Sequence, residues 1–215
     1  AAKDPAVAAK IAKLAKAFPA GAAHVDYALK DAKLKLLNEI FLLSQDELAL
    51  KSFTAFCAAE EYWLEDYALF KVLKAADGGK PWQEWEEGYS LHDEDALDIV
   101  RGKHKEAILF QKWVQWHLME QFRAAKEYAN TKGVLLKGDL PVLVSHDSAD
   151  VWANPRFFKL DLAAGAPPDM YCAKGQRWGM PTYDWEALAE DDYTYHKEKL
   201  RYAERFYDII RVDHV

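Results

Sequence analysis

Apolar residues recur at helical intervals up to about residue 130, and beyond it the period changes. Val7, Ile11, Leu14 and Phe18 stand three or four positions apart in an Ala/Lys background. Asp4 precedes them as a cap and Pro5 takes the first helical position, so residues 1–18 are predicted to form an amphipathic helix. Leu29, Leu36, Ile40 and Leu43 continue the helical spacing. Ser44 and Glu47 then stand as S-x-x-E, the pattern of a capping box, which predicts a new helix start. That helix carries Phe56, Trp63, Tyr67 and Phe70, with a break expected near Glu60. Gly78 and Gly79 end it, and Pro81 opens a tryptophan-bearing loop over residues 81–89. The clearest helix covers residues 105–130, with Ile108, Val114, Met119, Phe122 and Ala125 near one side and Gly133 as its terminal cap. There is no internal repeat, and the only low-complexity stretch is the Ala/Lys-rich start.

Residues 134–139 form a short apolar run closing on Asp139, which residues 140–144 prolong past Pro141. A long loop rich in Asp, Pro, Gly and Trp is expected over residues 145–183. Asp184 can cap a helix reaching about Phe206, and residues 207–213 form a second short apolar run closing on Asp213. Helix, strand, long loop, helix, strand is the order of parallel strands with helical crossovers. In a β/α barrel the C-terminal strand ends form the active site, which places Asp139 and Asp213 where chemistry would sit; each can equally be a residue that starts a loop. Arg211 and Asp213, two positions apart on a strand, point to one face. A guanidinium beside a carboxylate favours its ionised form, the form a glycosidic nucleophile needs, but a structural ion pair has the same signature. Retaining glycoside chemistry also needs a second carboxyl about 5–5.5 Å away. The upstream acids lie mostly on helical surfaces, and none stands out for that role.

Composition narrows the classes. The 215 residues suit one sizeable domain, and a 51% hydrophobic content provides a core. A net charge of −7 argues against a nucleic-acid partner. Cys57 and Cys172 are too few and too distant for a disulfide framework, which favours a reduced cytoplasmic setting. No run of 18 apolar residues indicates a transmembrane helix, and the first helix is better suited to a protein surface than to a membrane. The eight tryptophans serve either a core or the faces of sugars. The seven histidines lack zinc-site spacing, and the Asp93, Glu94, Asp95, Asp98 cluster reads as the acidic start of a helix rather than a calcium loop. Neither a phosphate-binding glycine loop nor a nucleophile elbow is present.

Five ordered motifs point further: KGDLPVLVSHDSADVWANP (137–155), AGAPPD (164–169), GQRWG (175–179), PTYDWEAL (181–188) and RVDH (211–214). Together they resemble the 4-alpha-glucanotransferase family of the amylomaltase or disproportionating type. EYWLEDYALF (61–70) and GGKPWQEW (78–85) are similar to that family's helical insertion. The resemblance covers residues 53–215, is weaker around residues 24–27, and is not visible in the first twenty. It implies an α/β fold, a fragment of a (β/α)8 TIM barrel holding the third and fourth strand regions with a largely helical insertion. On that basis residues 1–22 are an N-terminal helix, 23–104 the insertion and 105–215 the partial barrel. The implied activity is transfer of α-1,4-glucan segments between maltooligosaccharides by a retaining double displacement, with no metal or organic cofactor. The implied roles are Asp213 as nucleophile, Arg211 as its charge partner and Asp139 as organiser of the site. Asp169, Gln176 and Trp178 would belong to a loop closing over substrate, Trp178 stacking on sugar, and His214 would line the donor-sugar pocket. Arg177 stands where relatives commonly carry Asn or an apolar residue, and Tyr195-His196 where they often carry paired tryptophans. The family's acid/base Glu and its stabilising Asp would lie downstream of residue 215, so this segment alone is expected to be inactive. A glucan-binding module without turnover, or an α-amylase-like hydrolase fragment, are the rival readings.

Overall fold

The structure is a computed structural model that describes residues 4–21 and 23–213. The first half is helical: α1 (Pro5–Ala17), α2 (Ala28–Leu43), α3 (Lys51–Ala59), α4 (Glu61–Ala76), α5 (Glu87–Ser90), α6 (Glu94–Lys103) and α7 (Lys105–Thr131). Asp4 caps α1 by accepting from Ala6 N, and α1 packs on α2, where Lys10 Nζ lies 2.6 Å from Glu39. Residues 1–3 of the predicted first helix fall outside the described residues. The capping box at Ser44 does not form. Gln45–Ala49 is instead a 3-10 turn without a side-chain cap, because the Glu47 carboxylate turns inward to accept from Trp113 Nε1 at 2.8 Å and to pair with His117 Nε2 at 2.9 Å. Burial works against the Glu47 charge, but those two bonds outweigh it and lower its pKa.

The break at Glu60 is present and has a partner-based cause. Glu60 is buried, accepts from Trp63 Nε1 at 2.8 Å and forms an ion pair with Arg205. Gly78 and Gly79, both at positive φ, end α4 as expected, but the following loop is ordered into a 3-10 turn at Trp82–Glu84 and α5. Asp93 caps α6 by accepting from Ala96 N at 3.0 Å.

After α7 come β1 (Lys137–Leu140), α8 (Ala149–Ala153), β2 (Phe158–Lys159), β3 (Gly165–Ala166), β4 (Gln176–Arg177), β5 (Thr182–Tyr183), α9 (Trp185–Glu190), α10 (Thr194–Glu204) and β6 (Ile209–Val212). β1 and β6 pair in parallel through a helical crossover, as the element order predicts. β1 starts three residues later than the apolar run and stops before Pro141, which has no N–H for the ladder. The predicted long loop contains α8 and two antiparallel pairs, β2 with β5 and β3 with β4. Asp184 caps α9 as expected, but the helix does not continue to Phe206. Asp192 and Tyr193 adopt left-handed backbone (φ 51° and 54°), with Tyr193 N bonded to Leu188 O, and α10 starts afresh.

The core has two lobes sharing α4 and α7. One gathers Leu69, Leu73, Trp85, Leu97, Trp152 and Leu188; the other Phe41, Phe53, Phe56, Leu64, Trp113 and Trp116. Trp82, Trp85, Trp113, Trp116 and Trp152 are buried, so most of the tryptophans serve packing rather than ligand contact.

Candidate active site

The parallel pair sets the register that matters: Asp139 lies opposite Arg211. The close approach behind it needs Gly138, because a Cβ there would sit about 2.3 Å from the Tyr207 ring. That ring is held in turn by Phe122, edge-on at 5.7 Å. Asp208 fastens the start of β6 to the start of β1, accepting from Leu136 N and Asn130 Nδ2, each at 2.9 Å, with Lys126 Nζ at 3.5 Å. The backbone bond, the Asn130 amide and the Lys126 charge together lower the Asp208 pKa against a small opposing effect of burial. A lowered folded pKa means that this fastening is intact above the ordinary carboxylate value near 3.8 and is lost as pH falls below it.

On this platform Arg211 stands between two acids. Its Nη1 donates to Asp139 Oδ2 at 3.3 Å and its Nη2 donates to Asp213. Arg211 and Asp213 share a face as their spacing predicts, and the register adds Asp139. All three side chains are 43% or more exposed, so as ion pairs they contribute only about 0–1 kcal/mol to stability. His214 lies outside the described residues.

Asp169, Gln176 and Trp178 form a second group on the β3–β4 hairpin. Asp169 Oδ1 accepts from Tyr171 N at 2.8 Å and Cys172 N at 2.7 Å, shaping the tip. Gln176 pairs with Ala166, and its Oε1 accepts from Trp178 Nε1 at 3.1 Å. Trp178 N donates to Ala164 O at 2.9 Å. Gly165 and Gly175 are required here, since a Cβ on either would strike backbone oxygen across the hairpin. Met170 and Tyr171 at the tip are 87% and 88% exposed. Arg177 is exposed on β4, opposite Gly165.

The spacing did not reveal the support beneath the cluster. Tyr195 Oη donates to Asp150 Oδ1 at 2.8 Å, and Lys199 Nζ donates to Pro141 O at 3.0 Å, tying α10 to the end of β1. Burial pushes the Tyr195 phenol far up and the Lys199 ammonium down. His196 packs between Tyr183, at 4.7 Å, and Trp185, at 5.6 Å. Asp150 sits in the quoted HDSADVWANP stretch, but nothing there announces its partner Tyr195, 45 positions later. Among the described residues there is no group of three or more His, Cys, Asp or Glu side chains able to hold a metal ion, and no helix is long and apolar enough to cross a membrane.

Comparisons with known proteins agree with these motifs. A family model described as 4-alpha-glucanotransferase matches residues 2–215, reaching well upstream of the residues that carried the resemblance. The 4-alpha-glucanotransferase of Synechocystis is 38% identical over 202 residues, 89% of this chain and 40% of that protein. The Thermus thermophilus 4-alpha-glucanotransferase is 37% identical over 207 residues, 92% of this chain and 41% of that protein. The amylomaltase from Streptococcus agalactiae, solved in complex with acarbose, superposes with a TM-score of 0.79 at 30% identity, covering 97% of this chain and 45% of that one. The chain thus spans about two fifths of the length of these curated relatives. With the match running almost end to end, the chain belongs to the 4-alpha-glucanotransferase family.

Proposed function

We propose that this chain carries the nucleophile side of a glucanotransferase site within a (β/α)8 barrel, β1 and β6 being the third and fourth strand regions. The observation that carries the reading is the sharing of one guanidinium, Arg211, by Asp139 and Asp213 at the C-terminal ends of two parallel strands. Asp213 attacks the anomeric carbon of an α-1,4-glucan, forming a glycosyl ester as the glycosidic C–O bond breaks. A second carboxyl protonates the departing oxygen, and then deprotonates the hydroxyl of the acceptor glucan that attacks the ester and restores Asp213. We place that second carboxyl in the part of the relatives that this chain does not span. Arg211 fixes the orientation of Asp213, and Asp139 fixes Arg211 from the other side.

Asp169, Gln176 and Trp178 form the substrate-covering hairpin, Trp178 stacking on sugar near the cleaved bond and His214 lining the donor pocket. A covering hairpin suits transfer, because water must be kept from the ester until a sugar hydroxyl arrives. Maltooligosaccharides are the substrates, and the two free cysteines support a cytoplasmic setting. In the full-length enzyme, Asp213→Asn is expected to lower maltotriose disproportionation by about 10⁴-fold or more. Arg211→Lys, which loses the two-pronged fork, is expected to lower it by about 10²-fold. An Asp213→Asn enzyme that still lengthens maltotriose defeats this assignment. Residues 1–215 alone should release no glucose from maltotriose; release at enzymatic rates would show the second carboxyl to lie within them.

A further inference from the structure

β1 ends at Leu140, one residue past Asp139. The chain beyond it is held by side chains: Lys199 Nζ donates to Pro141 O at 3.0 Å, and Tyr183 Oη donates to Val142 O. Lys199 is itself set in place by α10 and α8. Its Nζ lies 3.4 Å from Tyr195 Oη and 5.1 Å from the centre of the Tyr195 ring, and Tyr195 Oη donates to Asp150 Oδ1 at 2.8 Å. The Pro141 carbonyl is stiffly linked to Asp139. A proline ring fixes φ at about −65°, and the residue before it, here Leu140, is confined to extended backbone. A displacement of Pro141 O is therefore passed on to Asp139 rather than absorbed between them. Asp139 has little margin for it. Arg211 Nη1 reaches Asp139 at 3.3 Å, beyond the roughly 2.7–2.9 Å usual for a charge-assisted bond. Both side chains are exposed, so their separation follows the backbones that carry them. Those backbones are fastened at the start of the strand pair by Asp208, which accepts from Leu136 N. At the other end, Lys199 ties β1 to α10, the helix that leads into β6 and Arg211.

We propose that Lys199 is a positioning residue for the transfer reaction: by holding Pro141 O it sets Asp139, and through Asp139 the Arg211 guanidinium that orients Asp213. This rests on the proposed assignment of Asp213 as nucleophile. The role is one of alignment and not of glucan affinity, so it falls on kcat rather than KM. Maltotriose disproportionation by the full-length enzyme tests it, with a melting curve for each variant. Lys199→Met keeps the length of the side chain and loses the donor. It should lower kcat by about 10- to 100-fold, the scale of an ångström of misplacement, with KM little changed. Lys199→Arg keeps a donor for Pro141 O and should return most of the lost rate. In an Asp139→Asn enzyme, Lys199→Met should add less than about twofold, because residues acting through one another are not additive. A Lys199→Met enzyme with the wild-type kcat overturns the proposal. So does an Arg variant as slow as the Met variant, or a full added loss in the Asp139→Asn background, which would put Lys199 on an independent route. If Lys199→Met and Lys199→Gln both fail to fold, Lys199 is a stability residue and the proposal falls. If Asp213→Asn abolishes disproportionation while Lys199→Met leaves kcat intact, the positioning role falls and the active-site assignment stands. If Asp213→Asn retains disproportionation, the assignment falls and takes this role with it.

Discussion

His92 adopts left-handed backbone (φ 56°) and lies 4.5 Å from the Trp152 ring, at the junction of α5 and α6. Its Nε2 bonds Asp66 Oδ1 at 2.9 Å. That bond raises the His92 pKa; burial opposes it, and the Asp66 and Glu94 charges add to it. A raised folded pKa makes the stabilisation complete below the ordinary value of 6.5 and lost as pH rises through the folded value. The protein should therefore melt at lower temperature at pH 8 than at pH 6, and His92→Gln should flatten that difference. Equal pH slopes for the two proteins would rule the effect out. The same scale shows what a sequence exposes. Arg211 and Asp213 were legible because two-residue spacing on a strand fixes a shared face. Asp208 was not, since it reads as one residue of an apolar run and its role comes from Leu136, Asn130 and Lys126, about 70–80 positions away.

The β1–β6 pair depends on one close approach, the Tyr207 ring over Gly138. Gly138→Ala would force either the ring or the strand aside, costing about 1–3 kcal/mol, the usual range for overpacking. Urea denaturation should register that loss, and disproportionation by the full-length enzyme should fall with it, because Asp139 follows directly. An Ala variant as stable as the wild type would mean that Tyr207 moves without cost. Elements whose signals are local were readable: the Asp4, Asp93 and Asp184 caps, the Gly78-Gly79 stop and the long α7. Elements set by distant partners were not. Ser44 and Glu47 carry a capping signature, yet Glu47 is claimed by Trp113 and His117 on α7. The α9–α10 break lies at Asp192-Tyr193, where no glycine or proline announces a left-handed turn.

Across the whole molecule, Glu60 and Arg205 join the α3–α4 junction to the end of α10, and α10 leads into β6. The Glu60 side chain is 2% exposed and Arg205 43%, so the charge at risk is Glu60 if its partner is removed. Arg205→Ala should destabilise the protein by about 2–3 kcal/mol, below the roughly 3–5 kcal/mol of a fully buried pair. Chemical denaturation measures this, and a loss under half of that would show that Trp63 and water satisfy Glu60 without the arginine. The helical region and the strand region each carried quoted motifs, but the bond that joins them was not legible, because neither residue lies in one of those motifs. The pairing of Asp139 with Arg211 joins residues 72 positions apart. Closing so long a loop is entropically expensive until the intervening segments are themselves compact. The helices and hairpin between the two strands are therefore expected to condense before the acid–arginine cluster, an order that low φ-values for Gly138 and Tyr207 variants would check. A chain arrested before that step would already hold most of its buried core and still lack its proposed chemistry.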